Sequence, residues 1–387
     1  MSDLKTIPKS ALNEWVQRLR RRFRVVGPKP KNGQFVFAEI ETAVEMALDY
    51  PTTCVPPKKY LFPQQETLLR YHLDGSHIQA VIETEPTVIF GIHTCDVQAT
   101  RLFDQIFSQG FADQHYRARR EDIYLISIEC MSPCTAHAYC HDMGTSHLPE
   151  AADLHLTDVG HMYVVHVNTP KGESLLADTL AEPFTADWQP IYDRVIAKKM
   201  EAFEKRLDFD VTELKELLHD GYSSPLWQNV GDDCLVCGMC TQVCPTCVCF
   251  NMVDEADLTQ TEGQRTRTWD SCQATTFALV AGGHNFREAR MSRQRHRFMR
   301  KGKYMHDAYG LLGCVGCGRC GDTCLVNITP INVLNALYHE QQGEPMVPET
   351  QEMVHEMVHE MELSYEDVTA RSAGVAVDLH AGASQNN

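Results

Sequence analysis

Apolar residues in the first half of the chain alternate between strand-like and helix-like spacing. Apolar runs rich in β-forming residues occur at TVIFGIH (87–93), DIYLISIEC (122–130) and MYVVHV (162–167), whereas VQATRLFDQIF (97–107) repeats its apolar positions at the period of a helix. Strands that alternate with helices favour a sheet that is at least partly parallel. The pattern therefore predicts an α/β domain over residues 1–190.

The hydrophobic pattern changes in the second half. Helical periodicity covers VIAKKMEAFEKRL and TELKELLHD, between about residues 190 and 220, and returns at 285–304. The end of the chain is polar and rich in Met, Glu and His. We therefore predict a mainly helical domain at 191–343, followed by a polar tail at 344–387 that is partly disordered. The proline-rich stretch 48–71 predicts an extended path over a surface rather than regular secondary structure.

Composition and charge narrow the class of protein. The chain of 387 residues is 43% hydrophobic. It contains neither an apolar run of the ~18 residues that span a bilayer nor an apolar leader, so we expect no membrane association. The net charge of -17 disfavours nucleic acid, which is a polyanion. Sixteen cysteines in such a chain indicate metal or redox chemistry in a reducing compartment, and we expect a cytoplasmic protein.

Two cysteine runs share one spacing. The string Cys-x-x-Cys-Gly-x-Cys-x-x-x-Cys occurs at 234–244 and again at 314–324. Structural zinc takes its ligands from two separated pairs, whereas this spacing is typical of bacterial [4Fe-4S] proteins, where the fourth cysteine ligates the other cluster. We therefore predict one [4Fe-4S] cluster on Cys234, Cys237, Cys240 and Cys324, and a second on Cys314, Cys317, Cys320 and Cys244.

The segment between the two runs is long and basic. It places 69 residues between Cys244 and Cys314, far more than a minimal ferredoxin has, which favours a helical ferredoxin-like module. Its part at 285–304 contains eight Lys or Arg residues and one Glu. This part could dock an acidic partner, compensate the charge of anionic clusters, or form a solvated helix. Lys58 and Lys59 are expected at the surface.

The remaining cysteines leave the number of clusters open. Cys95 and Cys130 each end a predicted strand, where open α/β sheets place ligand sites. A third cluster is favoured there over inert thiols, with the ligands Cys95, Cys130, Cys134 and Cys140. A last group could hold a further cluster, act as redox thiols, or be inert; its members are Cys247, Cys249 and Cys272. Cys54 is expected to be a small apolar residue.

Several segments together resemble one known family. The β subunit of cytosolic multisubunit [NiFe] hydrogenases, also called sulfhydrogenases, is similar to this chain in LDYPTTCVPPKKYLFPQQETL, GIHTCD, YCHDMGTS, DLHLTDVG, CLVCGMCTQVCPTCVCF, RTWDSCQ, AGGHNFR and CVGCGRC. The resemblance runs over most of residues 7–330 and extends to the A subunit of anaerobic sulfite reductases.

The resemblance implies an electron-transfer subunit with no complete active site of its own. In such complexes a flavoprotein subunit exchanges hydride with NAD(P)H, the β subunit relays electrons through its clusters, and a small and a large subunit react with hydrogen. The alternatives are the same relay in an anaerobic sulfite reductase, and a sulfur or thiol reductase that uses the extra cysteines.

The chain departs from the family at one of its cysteine motifs. The family usually has Cys-Phe-Cys where this chain has Ala138, Tyr139 and Cys140. One expected thiol is therefore missing. A third cluster then depends on whether Cys134, a few residues earlier, takes its place.

Overall fold

The chain forms two sheets and a series of helices. The computed structural model describes residues 3–177 and 179–344. Its strands are β1 (Asp3–Pro8), β2 (Arg24–Lys31), β3 (Gln34–Glu39), β4 (Gln65–His72), β5 (Ile78–Ala80), β6 (Thr87–His93), β7 (Ile123–Ile128), β8 (Leu154–Asp158), β9 (Met162–Val167), β10 (Glu182–Pro183), β11 (Phe250–Ala256) and β12 (Glu262–Trp269). Its α-helices are α1 (Leu12–Arg20), α2 (Thr94–Ser108), α3 (Gln114–Glu121), α4 (Pro170–Leu176), α5 (Gln189–Ala202), α6 (Leu214–Asp220), α7 (Leu226–Asp233), α8 (Met239–Gln242), α9 (Arg290–Met299), α10 (Met305–Tyr309), α11 (Arg319–Asp322) and α12 (Pro330–Gln341).

The larger sheet is parallel in its centre and antiparallel at its edges. Its strand order is β10-β1-β9-β8-β7-β6-β2-β3, in which β2, β6, β7 and β8 run parallel. Every residue of β6 is buried, which suits its continuous apolar sequence, because parallel strands are covered on both faces. The predicted α/β region at the start of the chain is confirmed.

The core of this sheet is built around large apolar side chains. The indole of Trp15 on α1 packs edge-on against Phe90 of β6, with ring centroids 5.1 Å apart, and its Nε1 donates to the Leu175 carbonyl at 2.8 Å. A buried indole N–H needs such an acceptor, because an unpaired one would carry its full desolvation cost. These contacts fix α1 and α4 against the sheet.

The smaller sheet joins distant parts of the chain. Its order is β11-β12-β4-β5, all antiparallel, so that β4 from the proline-rich stretch pairs with β12 from the cysteine-rich half. The buried Arg267 of β12 pairs with Glu66 at 2.5 Å and Asp113 at 2.5 Å. The prediction that 48–71 lacks regular secondary structure was therefore wrong for β4, whose pairing partner lies almost 200 residues away.

The second half of the described chain combines helices with a β-hairpin. The segment 285–304 contains α9, which continues through the π-helix Arg300–Tyr304 into α10. The buried Trp227 on α7 packs against Phe298 on α9. The hairpin of β11 and β12 was not part of the predicted mainly helical domain. The described residues up to Tyr338 form one compact unit, and the predicted division near residue 190 stays a prediction.

One buried ion pair ties the two halves together. Arg319 on α11 makes a bidentate pair with Asp96 on α2, with both N–O distances at 2.7 Å, and its Nε donates to the Thr53 carbonyl at 2.8 Å. Both side chains are almost fully buried. A charge in such a place is tolerated only when it is paired, so each residue depends on the other.

Two further predictions concern the membrane and the tail. No helix among the described residues is long and apolar enough to cross a bilayer. The predicted polar tail at 344–387 lies, apart from its first residue, outside the described residues.

Replacing Asp96 by Ala should destabilise the fold strongly. The change leaves the Arg319 guanidinium buried without its partner, which typically costs about 3–5 kcal/mol. The free energy of unfolding from anaerobic denaturant titrations measures this loss. The control is Asp254→Ala, which removes an equally bidentate but exposed pair with Arg265 and should cost far less, because solvent screens exposed charges. Equal losses in the two variants would contradict this account.

Candidate metal centres

The first predicted ligand set lines a single cavity. Cys234 directly follows α7, Cys240 lies on α8, and Cys324 follows α11. All four thiols predicted for one cluster, Cys234, Cys237, Cys240 and Cys324, face this cavity. Gly238, directly before α8, has the left-handed conformation (φ 75°), which a glycine adopts without strain. The local turn therefore curls the first three thiols around one space.

Amide groups are directed at the thiols of this set. The Gln294 side chain donates from Nε2 to Cys234 Sγ at 2.9 Å, and the Ile328 backbone N–H donates to Cys324 Sγ at 3.3 Å. Donors of this kind stabilise a thiolate, which is the form of cysteine that binds metal. The residues present therefore fit a thiolate-ligated cluster.

The second predicted set also joins cysteines from both runs. Burial raises the pKa of Cys317 to about 12, and Arg319 and Cys244 are also close enough to influence it. Burial likewise raises the pKa of Cys320, and Arg297, Cys244 and Cys314 influence it next. The set Cys314, Cys317, Cys320 and Cys244 is thus brought together, with Cys244 contributed by the other run. Buried thiols of this kind ionise only when a positive charge or a metal compensates them.

The third predicted set lies at the carboxyl ends of two neighbouring strands. Parallel strands β6 and β7 end at His93 and Ile128, which are register partners, and Cys95 and Cys130 follow them. Burial raises the pKa of Cys134 well above its usual value, and the neighbours Cys130 and Cys140 raise it further. Cys134 therefore lies beside Cys130 and Cys140, with which it would complete the ligand set of a third cluster.

The last group does not stand apart from the second set. A hydrogen bond between the Cys249 and Cys272 side chains lowers the pKa of Cys249 and raises that of Cys272. Cys247 interacts in the same way with Cys244, a predicted ligand of the second cluster. Cys249 is thus close to Cys272 and also influences the pKa of Cys247, and the role of the three thiols as a cluster site or as redox thiols stays a prediction.

No three His, Cys, Asp or Glu side chains among the described residues are placed to hold a single metal ion. A [4Fe-4S] cluster makes a different demand, because each of its four thiolates binds a different iron.

Basic side chains of α9 and its continuation point inward. Arg297 is buried and lines the cavity of the first set; burial lowers its pKa, but the thiols of Cys240 and Cys320 outweigh this and raise it. One turn later, Lys301 Nζ donates to Thr246 Oγ1 at 2.6 Å, and Cys244 Sγ lies 3.2 Å from the same oxygen. Of the three interpretations of this segment, charge compensation is the one these two residues support.

Lys58 is not the surface residue that was expected. It is 5% exposed, and its Nζ donates to the Cys247 carbonyl at 3.1 Å while lying 4.1 Å from the centre of the Trp269 ring. Burial lowers the pKa of Lys58, and the thiols of Cys247 and Cys244 oppose this. Lys58 therefore supplies a second source of positive charge beside the cysteines.

Sequence reasoning did not single out Lys199 and Glu129, which lie beside the third set. Lys199 is fully buried between the Glu129 carboxylate and the Ser146 carbonyl, and Glu129 also binds His147 at 2.6 Å and His155 at 3.0 Å. Lys199 is close enough to Cys130 to influence its pKa, which burial raises to about 11. No local pattern marks Lys199, because it is one of two adjacent lysines on an ordinary helix.

Comparisons with known proteins bear on these sites. Residues 233–328 match the family model described as a 4Fe-4S dicluster domain. The chain is 31% identical to sulfhydrogenase 2 subunit beta of Pyrococcus furiosus over 324 residues, which are 83% of this chain and 94% of that protein. No solved structure matches the chain. The family model spans both cysteine runs, which supports [4Fe-4S] clusters in this region.

Replacing Arg297 by Gln should make the first two centres harder to reduce. Arg297 reaches thiols of both sets, and a nearby cation favours the more negative, reduced state of a cluster. We expect both midpoint potentials, measured by redox titration with electron paramagnetic resonance, to fall by about 59 mV, a tenfold change for one electron. The control is Arg295→Gln on the same helix, where the guanidinium stacks on Tyr222. Unchanged potentials in the Arg297 variant would contradict charge compensation.

Proposed function

Because the chain belongs to the family of sulfhydrogenase beta subunits, we propose that it relays electrons in a cytoplasmic [NiFe] hydrogenase, between a flavin- and NAD(P)-binding subunit and the small and large catalytic subunits. When bound, a [4Fe-4S] cluster accepts and gives up one electron at a time. The protein positions these clusters and sets their potentials.

The observation that carries this proposal is that one cysteine of each run lies beside cysteines of the other run. Cys324 shares a cavity with the first three cysteines of the other run, and Cys244 influences the pKa of all three cysteines that begin the second run. This is the arrangement of a two-cluster ferredoxin, in which neighbouring clusters exchange electrons. We assign the ligand sets accordingly, as predicted from the spacing.

The third set extends the relay in this proposal. Cys95 packs with Cys317 and Val315 in one small apolar cluster, so a ligand of the third set lies against a ligand of the second. Their contact supports a path that runs from the first set through the second to the third. Cys134, rather than a residue at position 138, completes the third set.

In this proposal a partner subunit docks beside the first ligand set. All sixteen cysteines lie in the described part of the chain, and only Cys237 among them is exposed. The same cavity is bordered by exposed apolar side chains, with Leu325 82% and Leu235 57% exposed. An exposed ligand in an apolar rim suits a partner that brings its own redox group close to the cluster.

Iron analysis tests the cluster assignment. Anaerobically purified chain should contain about twelve irons, four for each of three clusters, with equal acid-labile sulfide. The variant Cys134→Ala should lose about four of them, because it removes one ligand of the third set. The control Cys54→Ala should lose none, since Cys54 belongs to no set. About eight irons in the unchanged chain, and no loss in the Cys134 variant, would refute the third cluster.

Copurification tests the partners. A tagged chain isolated from its own host should carry nickel and flavin in associated subunits. The variant Leu325→Glu places a charge in the apolar rim and should lose at least one of these two, whereas Leu258→Glu, at a fully exposed hairpin position, should keep both. Sirohaem without nickel would overturn the hydrogenase assignment, and full retention of both groups by the Leu325 variant would overturn the docking site.

A further inference from the structure

Tyr139 lies between the second and third ligand sets. It directly precedes Cys140, a ligand of the third set, and its hydroxyl oxygen lies 2.8 Å from Cys314 Sγ in the second set. The side chain is 2% exposed. One residue therefore touches one centre through its side chain and the other through its backbone.

The backbone holds this residue in a fixed position. The Tyr139 N–H donates to the Gly316 carbonyl at 2.8 Å, and Thr145 Oγ1 donates to the Val315 carbonyl at 2.6 Å. Gly316 has a φ of 67°, and a Cβ there would lie 2.6 Å from the Cys140 backbone. Only glycine allows this approach, so the two segments lie against each other with no room to slide.

The chemistry of the sulfur decides the direction of the hydrogen bond. A thiolate bound to iron has lone pairs and no proton, so the Tyr139 hydroxyl must donate and Cys314 Sγ must accept. Hydrogen bonds to cluster sulfurs are one of the means by which a protein sets a reduction potential. Such a bond strengthens as the sulfur gains negative charge, which favours the reduced state.

We propose that Tyr139 is a positioning residue that raises the reduction potential of the centre held by Cys314, Cys317, Cys320 and Cys244, and leaves the potential of the third centre unchanged. The inference rests on the proposed function, because it requires a cluster in the second set. Both centres have four cysteine ligands in this proposal. The Tyr139 hydroxyl is what makes their reduction potentials differ.

A purely structural role for Tyr139 predicts something different. Filling space between two segments requires the ring and not the hydroxyl. Removing the hydroxyl would then alter stability slightly and leave every potential unchanged. The two roles are therefore separated by a measurement of potential rather than of stability or activity.

The test is Tyr139→Phe, which keeps the ring and removes the donor. Iron content should stay at the value of the unchanged chain. In a redox titration followed by electron paramagnetic resonance, one centre should become tenfold harder to reduce, which is about 59 mV for one electron, and the others should not move. The matched control is Tyr116→Phe, which removes an equally buried hydroxyl that donates to Asp104 at 2.7 Å and touches no thiol.

The outcomes separate this inference from the function on which it rests. Full iron content with unchanged potentials in the Tyr139 variant, or the same shift in the Tyr116 variant, would overturn the role of Tyr139 and leave the relay intact. Absence of clusters from the unchanged chain would instead overturn the proposed function.

A measurement on the unchanged chain provides a second arm that needs no variant to fold. Hyperfine spectroscopy of the reduced protein, before and after transfer to heavy water, should detect an exchangeable proton at hydrogen-bonding distance from the second centre, with a stronger coupling than the 3.4 Å Gly316 N–H can give. A spectrum with only weakly coupled exchangeable protons would contradict the bond.

Discussion

The interior of this protein must hold many sulfur ligands that carry negative charge when they bind metal. Burial disfavours ionised groups, so each group of thiols needs positive charge nearby. The structure meets this need with side chains that are themselves buried or nearly so. They are Lys58, Lys199, Arg297, Lys301 and Arg319.

The need for positive charge near the thiols also accounts for ion pairs between the two halves of the chain. Arg319 belongs to the second cysteine run, yet its carboxylate partner Asp96 stands on the first helix after β6, next to Cys95. Lys199 lies in the helical segment and pairs with Glu129, next to Cys130. These two ion pairs place Arg319 and Lys199 beside the thiols and fasten the second half of the chain to the sheet, so the cluster-binding region is not an independent appendage.

The sequence predicted those parts of the site that depend on short spacing. The runs beginning at Cys234 and Cys314 repeat one local pattern, and Cys95 and Cys130 follow apolar strands whose ends must meet if the strands are parallel neighbours. The remaining features depend on contacts between residues far apart in the chain. Neither the burial of Lys58 beside Cys247 nor the bond from Tyr139 to Cys314 leaves a local signal, because each exists only once distant segments have packed together.

The exchange of Cys244 and Cys324 between the two runs is the central claim, and locating the irons tests it most directly. Crystals of the anaerobically purified protein, measured at the iron absorption edge, should contain one compact iron peak bounded by Cys234, Cys237, Cys240 and Cys324 and another bounded by Cys314, Cys317, Cys320 and Cys244. A single peak bounded by all four cysteines of one run, or isolated single-metal peaks, would contradict the account.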